Sequence, residues 1–222
     1  MGRAPDGAVG PRRMGMFGGT FDPPHNGHIS AARDVAAALD LDEVLWVPAG
    51  EPPHRASAEL TPASIRLEMV KAAAAVDPCF RLIDLELKRA GPSYTVDTLR
   101  ELRTGEGAGD LDLFLIIGID QYRVFDSWRD PDEILELARL AVMDRSGESV
   151  ASTRSPEAMS RGEGSRGDGN RYGRDRVLSV PVRRIDISST EVRARVRDGR
   201  DVSALVPSAV ASIMKVEGLY RS

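Results

Sequence analysis

The amino-acid sequence predicts a single α/β domain with a Rossmann-like, doubly wound parallel sheet. Short apolar runs alternate with helical stretches, and several of these runs end in a glycine- or proline-containing loop. The run over residues 111–117, LDLFLII, is the most apolar in the chain and is typical of a central strand buried on both faces. A strand–helix–strand order implies a right-handed parallel crossover, and 222 residues suffice for one sizeable core.

Composition limits the class of protein before any motif is considered. Hydrophobic residues make up 41% and charged residues 29% of the chain, which is typical of a globular protein. We find no apolar run long enough to span a bilayer and no secretory leader, so the prediction is a cytoplasmic protein without a membrane partner. A formal net charge of −4 argues against nucleic acid as a partner. Cys79 is the single cysteine, which excludes an intramolecular disulfide, and a homo-oligomer is compatible with the sequence.

The secondary-structure elements follow from the apolar periodicity and the turn residues. Residues 1–12 have little apolar content and are predicted to be a disordered extension, so the domain is predicted over 13–222. Strands are predicted over residues 14–17, 42–47, 80–87, 111–117, 139–144 and 177–182. Helices are predicted from about His28 to Leu39, over 61–75 with Thr61 and Pro62 as cap and first turn, from Tyr94 through Leu102 with Ser93 as a cap, over 132–140, from about Ser189, and over 205–220.

The stretch over residues 146–175 interrupts this pattern. It is rich in Gly, Ser, Arg and Glu, with only scattered apolar residues and no usable periodicity. Such a composition buries too little apolar surface to offset the ordering entropy, so it predicts a disordered surface insertion. We expect its deletion to leave activity largely intact.

The stretch over residues 14–30, MGMFGGTFDPPHNGHIS, predicts a phosphate-binding strand–loop–helix unit. Gly18 and Gly19 allow close approach to the backbone because no Cβ is in the way. The helix amino terminus offers unpaired N–H groups and a positive dipole end to an anion. His25 and His28 are three residues apart, a spacing that turns both imidazoles to one side of a first helical turn. The alternative is that the histidines are structural and that Asn26-Gly27 is an ordinary turn.

The eleven residues GGTFDPPHNGH resemble the signature GGTFDPxHxGH of the bacterial nicotinate mononucleotide adenylyltransferases, in the HxGH nucleotidylyltransferase superfamily. The resemblance implies a Rossmann-like fold of the nucleotidylyltransferase type. It continues over nearly the whole chain except residues 1–12 and 146–175.

The resemblance also implies a set of site residues. Catalytic roles are expected for His25, His28 and Arg193. Substrate-binding roles are expected for Gly18, Gly19, Thr20 and Phe21 of the first loop, Arg55 in a PPHR loop, Tyr94 and Thr95 bordering a pyridine carboxylate, Gly118 and Asp120 for the nucleotide, Trp128 stacking on the pyridine ring, and Ser188, Ser189 and Thr190 in an ISSTxxR phosphate element. Arg55 stands where the family has a lysine, and arginine can serve there because it is a permanent cation with a planar fork suited to phosphate oxygens.

Several residues keep an alternative role at this point. Trp128 also suits a core or lid anchor for the following helix, Asp97 suits a structural position in a first helical turn, and His54 and Arg55 also suit a solvated loop. Arg129, next to Trp128, can lend positive charge to a substrate carboxylate. The superfamily competitors are pantetheine-phosphate adenylyltransferase and the cytidylyltransferases, and a catalytically idle nucleotide sensor is the alternative from another class.

The implied reaction is adenylyl transfer from ATP to nicotinate mononucleotide, giving nicotinate adenine dinucleotide and pyrophosphate in NAD biosynthesis. The expected partners are therefore ATP and nicotinate mononucleotide. Mg²⁺ is expected on the leaving group, held mainly by the ATP phosphates, because the sequence shows no carboxylate cluster that suggests a protein-only metal site; no metal-ligating residue is expected.

Overall fold

The computed structural model describes residues 10–50, 60–105, 110–144 and 175–221. Within them the chain forms one six-stranded sheet with the order β3-β2-β1-β4-β5-β6, and every neighbouring pair is parallel. The predicted Rossmann-like α/β class is confirmed. The strands are β1 (Arg12–Gly19), β2 (Glu43–Pro48), β3 (Phe80–Leu82), β4 (Leu111–Gly118), β5 (Arg139–Asp144) and β6 (Val177–Pro181).

The helices cover both faces of the sheet. They are α1 (Asn26–Ala38), α2 (Ala63–Ala74), α3 (Leu85–Lys88), α4 (Thr95–Thr104), α5 (Ile119–Arg123), α6 (Pro131–Leu137), α7 (Ser189–Arg197) and α8 (Ser208–Val216), with a short 3-10 turn at Phe125–Ser127. No helix in this described part of the chain is both long enough and apolar enough to cross a membrane.

The central strands divide their side chains between two hydrophobic clusters. Phe114 and Ile116 of β4 face the cluster that contains α1, α2, α7 and α8, whereas Leu113, Leu115 and Ile117 face the cluster that contains α4 and α6. This alternation is the period of two expected for a strand buried on both sides. The order of the strands reverses at β1, so the crevice beyond the carboxyl ends of β1 and β4 is the topological switch point at which open α/β sheets bind ligands.

Two predicted elements have different boundaries. The strand predicted over 80–87 ends at Leu82, and α3 follows from Leu85. β3 is an edge strand with a single neighbour, and the N–H groups of Leu87 and Lys88 instead donate to the Asp84 carbonyl oxygen at 3.1 and 3.2 Å. The helix predicted over 132–140 ends at Leu137, because β5 starts at Arg139 and pairs with β4.

Two predicted helix caps are also wrong. Pro62 takes the N-cap position of α2 and Tyr94 that of α4, both without a side-chain capping bond. The hydroxyls of Thr61 and Ser93 bond elsewhere: Thr61 to Tyr220 and Ser93 to the Glu86 carbonyl oxygen. Arg12, assigned to the extension, is the first residue of β1, while residues 1–9 lie outside the described residues.

The deletion of 146–175, expected to leave activity largely intact, conflicts with the observed pairing of β5 and β6; residues 145–174 themselves lie outside the described residues. Asp144 at the end of β5 pairs with Pro181 at the end of β6, so the chain must return along the sheet to enter β6 at Val177. That return spans roughly 13 Å along the strand, at about 3.3 Å per residue. The deletion leaves only Arg145 and Arg176 between the strands, and three Cα–Cα steps reach about 11 Å at most. β6 could not keep its observed pairing.

Candidate active site

The two histidines of the first loop lie stacked at the start of α1. Their ring centroids are 3.6 Å apart with 28° between the planes, and His25 is 3% exposed. The His25 main-chain N–H donates to Nδ1 of His28 at 3.2 Å, so a neutral His28 carries its proton on Nε2 and uses that atom as a donor. A Cβ on Gly27 would lie 3.0 Å from Nδ1 of His25, which explains the glycine between the two rings.

The loop that leads to these histidines is held by aromatic packing. Phe21 has φ of 48°, in the left-handed region that aromatic residues rarely adopt and that costs of order 1–3 kcal/mol. Its ring packs against His28, Phe17 and Trp46, with centroid separations of 5.2, 5.6 and 5.1 Å. The surrounding core therefore fixes both the turn and one edge of the His28 ring.

The second predicted phosphate element meets this loop directly. Ser188 caps α7 by accepting from the Glu191 N–H at 3.1 Å. The Ser189 hydroxyl donates to the Pro23 carbonyl oxygen at 2.9 Å, and Arg193 Nη1 donates to the Asp22 carbonyl oxygen at 2.7 Å. Arg193 Nη2 also reaches Thr190 Oγ1 at 3.2 Å. The amino termini of α1 and α7 and one guanidinium are thus brought to the same place.

A cavity of about 580 Å³ opens beside this cluster at the carboxyl edge of β1 and β4. It contains six of the predicted site residues, Gly18, Gly19, Thr20, Tyr94, Thr95 and Trp128. The Trp128 ring also packs on Phe125 at 5.6 Å, so the tryptophan anchors the turn after α5 as well as lining the cavity. The alternative structural role of Trp128 and its predicted site position therefore coexist.

The cavity lining contains polar residues that the sequence analysis did not place there. They are Glu86 and Gln121. Ser93 and Arg129, which the sequence places beside Tyr94 and Trp128, line the cavity as well, and the Arg129 guanidinium lies 4.6 Å from the centre of the Tyr94 ring. Burial raises the pKa of the Glu86 carboxyl, against hydrogen bonds from the Thr98 hydroxyl and the Gly50 N–H that lower it. The sequence predicts a strand over 80–87, in which a single acid such as Glu86 gives no recognisable signal of a buried site residue.

Two loops of the site are held together by a buried arginine that the sequence analysis also missed. Arg66 of α2 is 2% exposed and donates to the carbonyl oxygens of Thr20 at 3.1 Å and Ala49 at 2.8 Å. Arg66 shares the helical face of Met69, Val70 and Ala73, and an arginine on such an apolar face is the signal that could have found it.

Two predicted site residues lie apart from these clusters, and a third is outside the part of the chain that the structure describes. Gly118 is the last residue of β4. A Cβ added there would meet nothing within 4 Å, so packing does not require a glycine at this position. The Asp120 side chain is 88% exposed and pairs with Arg123 at 3.0 Å; within the described part of the chain it does not line the cavity. Arg55, like His54, lies outside the described residues.

Comparisons with known proteins show the family to which the chain belongs. The model of the cytidylyltransferase-like family matches residues 16–195. A Thermus thermophilus protein is 40% identical over 94% of this chain and 100% of its own length, and a Dehalococcoides mccartyi protein is 38% identical over 94% and 97%. Both are named "Probable nicotinate-nucleotide adenylyltransferase".

Among solved structures, the fold is similar to that of Plasmodium falciparum nicotinic acid mononucleotide adenylyltransferase complexed with NaAD. The TM-score is 0.70 at 15% identity, over 94% of this chain and 97% of that one. This chain combines the HxGH loop, the helix that carries Arg193 and the parallel strand order. It belongs to the cytidylyltransferase-like family and, within it, to the nicotinate-nucleotide adenylyltransferases.

Proposed function

We propose that this chain transfers the adenylyl group of ATP to nicotinate mononucleotide, with the phosphates at the α1–α7 cluster and the pyridine ring in the adjoining cavity. The observation that carries the proposal is the direct contact between the two phosphate elements, Arg193 to Asp22 and Ser189 to Pro23, beside a cavity lined by Tyr94, Thr95 and Trp128. An anion at the cluster and a flat ring in the cavity match the phosphate groups and the pyridine ring of the proposed product.

In the reaction, a 5′-phosphate oxygen of the mononucleotide attacks the α-phosphorus of ATP in line. The bond from that phosphorus to the bridging oxygen breaks, and pyrophosphate leaves with the bonding electrons. The residues position the phosphates and stabilise the developing charge rather than form a covalent intermediate. We assign His28 to that stabilisation through its Nε2–H and His25 to holding the ring. Ser189 and Arg193 are assigned to the β- and γ-phosphates.

The acceptor half of the site depends on the start of α4. The carbonyl oxygen of Tyr94 accepts from the Asp97 and Thr98 N–H groups, whereas the N–H groups of Thr95 and Val96, at the first helical positions, have no intrahelical acceptor. Those groups suit the pyridine carboxylate. Arg129, held over the Tyr94 ring, adds positive charge at the same end of the cavity.

We infer that Mg²⁺ is bound by ATP rather than by a site made of protein side chains. Among the described residues, no group of three or more His, Cys, Asp or Glu side chains is arranged to hold a metal ion. The acid of the first motif, Asp22, already accepts from Tyr220 and from the Thr61 N–H. Phosphate oxygens and water would then be the ion's ligands, and the ion would neutralise charge on the leaving pyrophosphate. We place the reaction in the cytoplasm, where its nucleotide substrates are available.

The position of the radioactive label tests the transfer directly. With ATP labelled at the α-phosphorus, nicotinate mononucleotide and Mg²⁺, we expect the label in a dinucleotide resolved by anion-exchange chromatography. With ATP labelled at the γ-phosphorus, we expect it in pyrophosphate alone. Label from the γ-position in a nucleotide product would indicate phosphoryl transfer, and label from the γ-position in free orthophosphate would indicate hydrolysis. Either result would contradict adenylyl transfer.

Replacing Trp128 tests the cavity. Trp128→Ala removes the proposed stacking surface, so we expect the KM for nicotinate mononucleotide to rise by about tenfold or more while the KM for ATP changes little, since base–aromatic stacking contributes roughly 1–3 kcal/mol. Trp128→Phe is the matched control because it keeps a ring, and it should recover most of the affinity. An unchanged KM for the mononucleotide in Trp128→Ala would leave Trp128 with its anchoring role alone.

A further inference from the structure

A hydrogen bond between the buried Asp22 and the half-buried Tyr220 joins the first motif to the segment after α8. The Tyr220 hydroxyl donates to Asp22 Oδ1 at 2.5 Å, across 198 positions of sequence, and the Thr61 N–H donates to Oδ2 at 3.3 Å. The Thr61 hydroxyl in turn donates to the Tyr220 hydroxyl oxygen at 3.2 Å. Asp22 is 1% exposed, so the position of its carboxylate is determined by these protein donors.

The Tyr220 hydroxyl stays protonated and therefore acts as a hydrogen-bond donor. Burial, and then the hydrogen bond to Asp22, raise the pKa of Tyr220 above its ordinary value, so the hydroxyl keeps its proton at neutral pH. The backbone of Tyr220 has φ of 61°, in the left-handed region that is rare for an aromatic residue. The chain after α8 thus adopts an unfavourable turn that delivers this hydroxyl to Asp22.

The other side of Asp22 faces the phosphate element. Its carbonyl oxygen accepts from Arg193 Nη1 at 2.7 Å, and the next carbonyl oxygen, that of Pro23, accepts from Ser189. Arg193 uses one further donor on Thr190 Oγ1, and within the described residues the structure gives it no other partner, which leaves guanidinium donors for an anion. Since Phe21 precedes Asp22 in a strained conformation, the backbone here needs an anchor to stay in place.

We propose that Tyr220 is a positioning residue for the phosphate site: its hydroxyl fixes Asp22, and the Asp22 carbonyl oxygen in turn holds the Arg193 guanidinium toward the ATP phosphates. The inference rests on the proposed function for the identity of the anion. Tyr220 itself touches no substrate, so it acts only through Asp22 and Arg193.

The test measures ligand affinity in the unreacted protein by titration calorimetry, with ATP alone and with nicotinate mononucleotide alone, in Mg²⁺ buffer. Tyr220→Phe removes one oxygen and leaves the ring. We expect the Kd for ATP to rise about tenfold, the effect of one lost hydrogen bond to a buried carboxylate, and the Kd for the mononucleotide to stay within about twofold. Ser212→Ala, which removes a hydroxyl that bonds within α8 to the Ser208 carbonyl oxygen, is the matched control and should change neither.

A double-mutant cycle separates positioning from a general loss of structure. In an Arg193→Met background, Tyr220→Phe should raise the Kd for ATP by less than about twofold, because the group through which it acts is gone. Equal effects on both ligands, or the same tenfold effect with and without Arg193, would overturn the inference. An unchanged Kd for ATP in Tyr220→Phe would overturn it too. A wild-type protein that binds no ATP would instead contradict the proposed function, and the inference with it.

Discussion

Replacing His28 by alanine is expected to reduce kcat by about 100- to 1000-fold, the range seen when a positioned donor to developing charge is lost. The His25 N–H donates to Nδ1 of His28, which fixes the proton on Nε2, and the ring packs on Phe21 and Phe17. The imidazole is therefore held in one orientation before substrate binds. Alanine leaves nothing at that position to stabilise charge on the α-phosphorus oxygens.

Steady-state pyrophosphate release checks this expectation, with thermal unfolding to confirm that the variant folds. Ser30→Ala is the matched control: Ser30 lies two residues further along α1, is 8% exposed, and has a hydroxyl without a hydrogen-bond partner in the structure's described part. It should keep wild-type turnover. Near-normal turnover in His28→Ala would remove His28 from the reaction.

Replacing Arg193 by methionine is expected to lower kcat/KM for ATP by about 100-fold or more, with both a higher KM and a lower kcat. Methionine keeps much of the aliphatic stem but removes the fork that bonds Asp22 and Thr190 and that we propose binds the ATP phosphates. Arg193→Lys keeps the charge without the planar fork, so its loss should be intermediate.

Arg195 provides the control on the same helix. It pairs with Glu191 at 2.8 Å, one turn away along α7, and takes no part in the phosphate cluster. Arg195→Met should stay within about twofold of wild type, since an exposed ion pair of this kind contributes little. Equal losses in Arg193→Met and Arg195→Met would mean that the effect comes from the net charge of α7, and the specific role of Arg193 would be wrong.

The sheet could be predicted from sequence because its central strands carry their own signal. The alternating side chains of 113–117 are apolar on both faces, a run typical of a strand buried on both sides. The boundaries of the edge strand β3 were harder to predict from the sequence. Residues 80–87 alternate in the sequence, but β3 ends at Leu82 because it has a single neighbour, and the buried residue of the following turn is Glu86, a carboxylate.

The motif residues of the site were predictable because their spacing is local. His25 and His28 share the start of one helix, and Arg193 lies one turn after Ser189. The groups that hold them could not be found this way. Arg66 reaches Thr20 across 46 positions and Tyr220 reaches Asp22 across 198, contacts that only the assembled sheet creates. For Asp120, a motif position after a central strand does not determine where its side chain points, and its role in nucleotide binding stays a prediction.

Pyrophosphate release from ATP and Mg²⁺ tests the central claim most directly, with nicotinate mononucleotide, nicotinamide mononucleotide and phosphopantetheine each added as the only acceptor. The account predicts release with nicotinate mononucleotide at least about tenfold above the other two, since the start of α4 and Arg129 favour an anionic ring substituent. Release with phosphopantetheine at a comparable rate, or no release with any acceptor from folded protein, would contradict it.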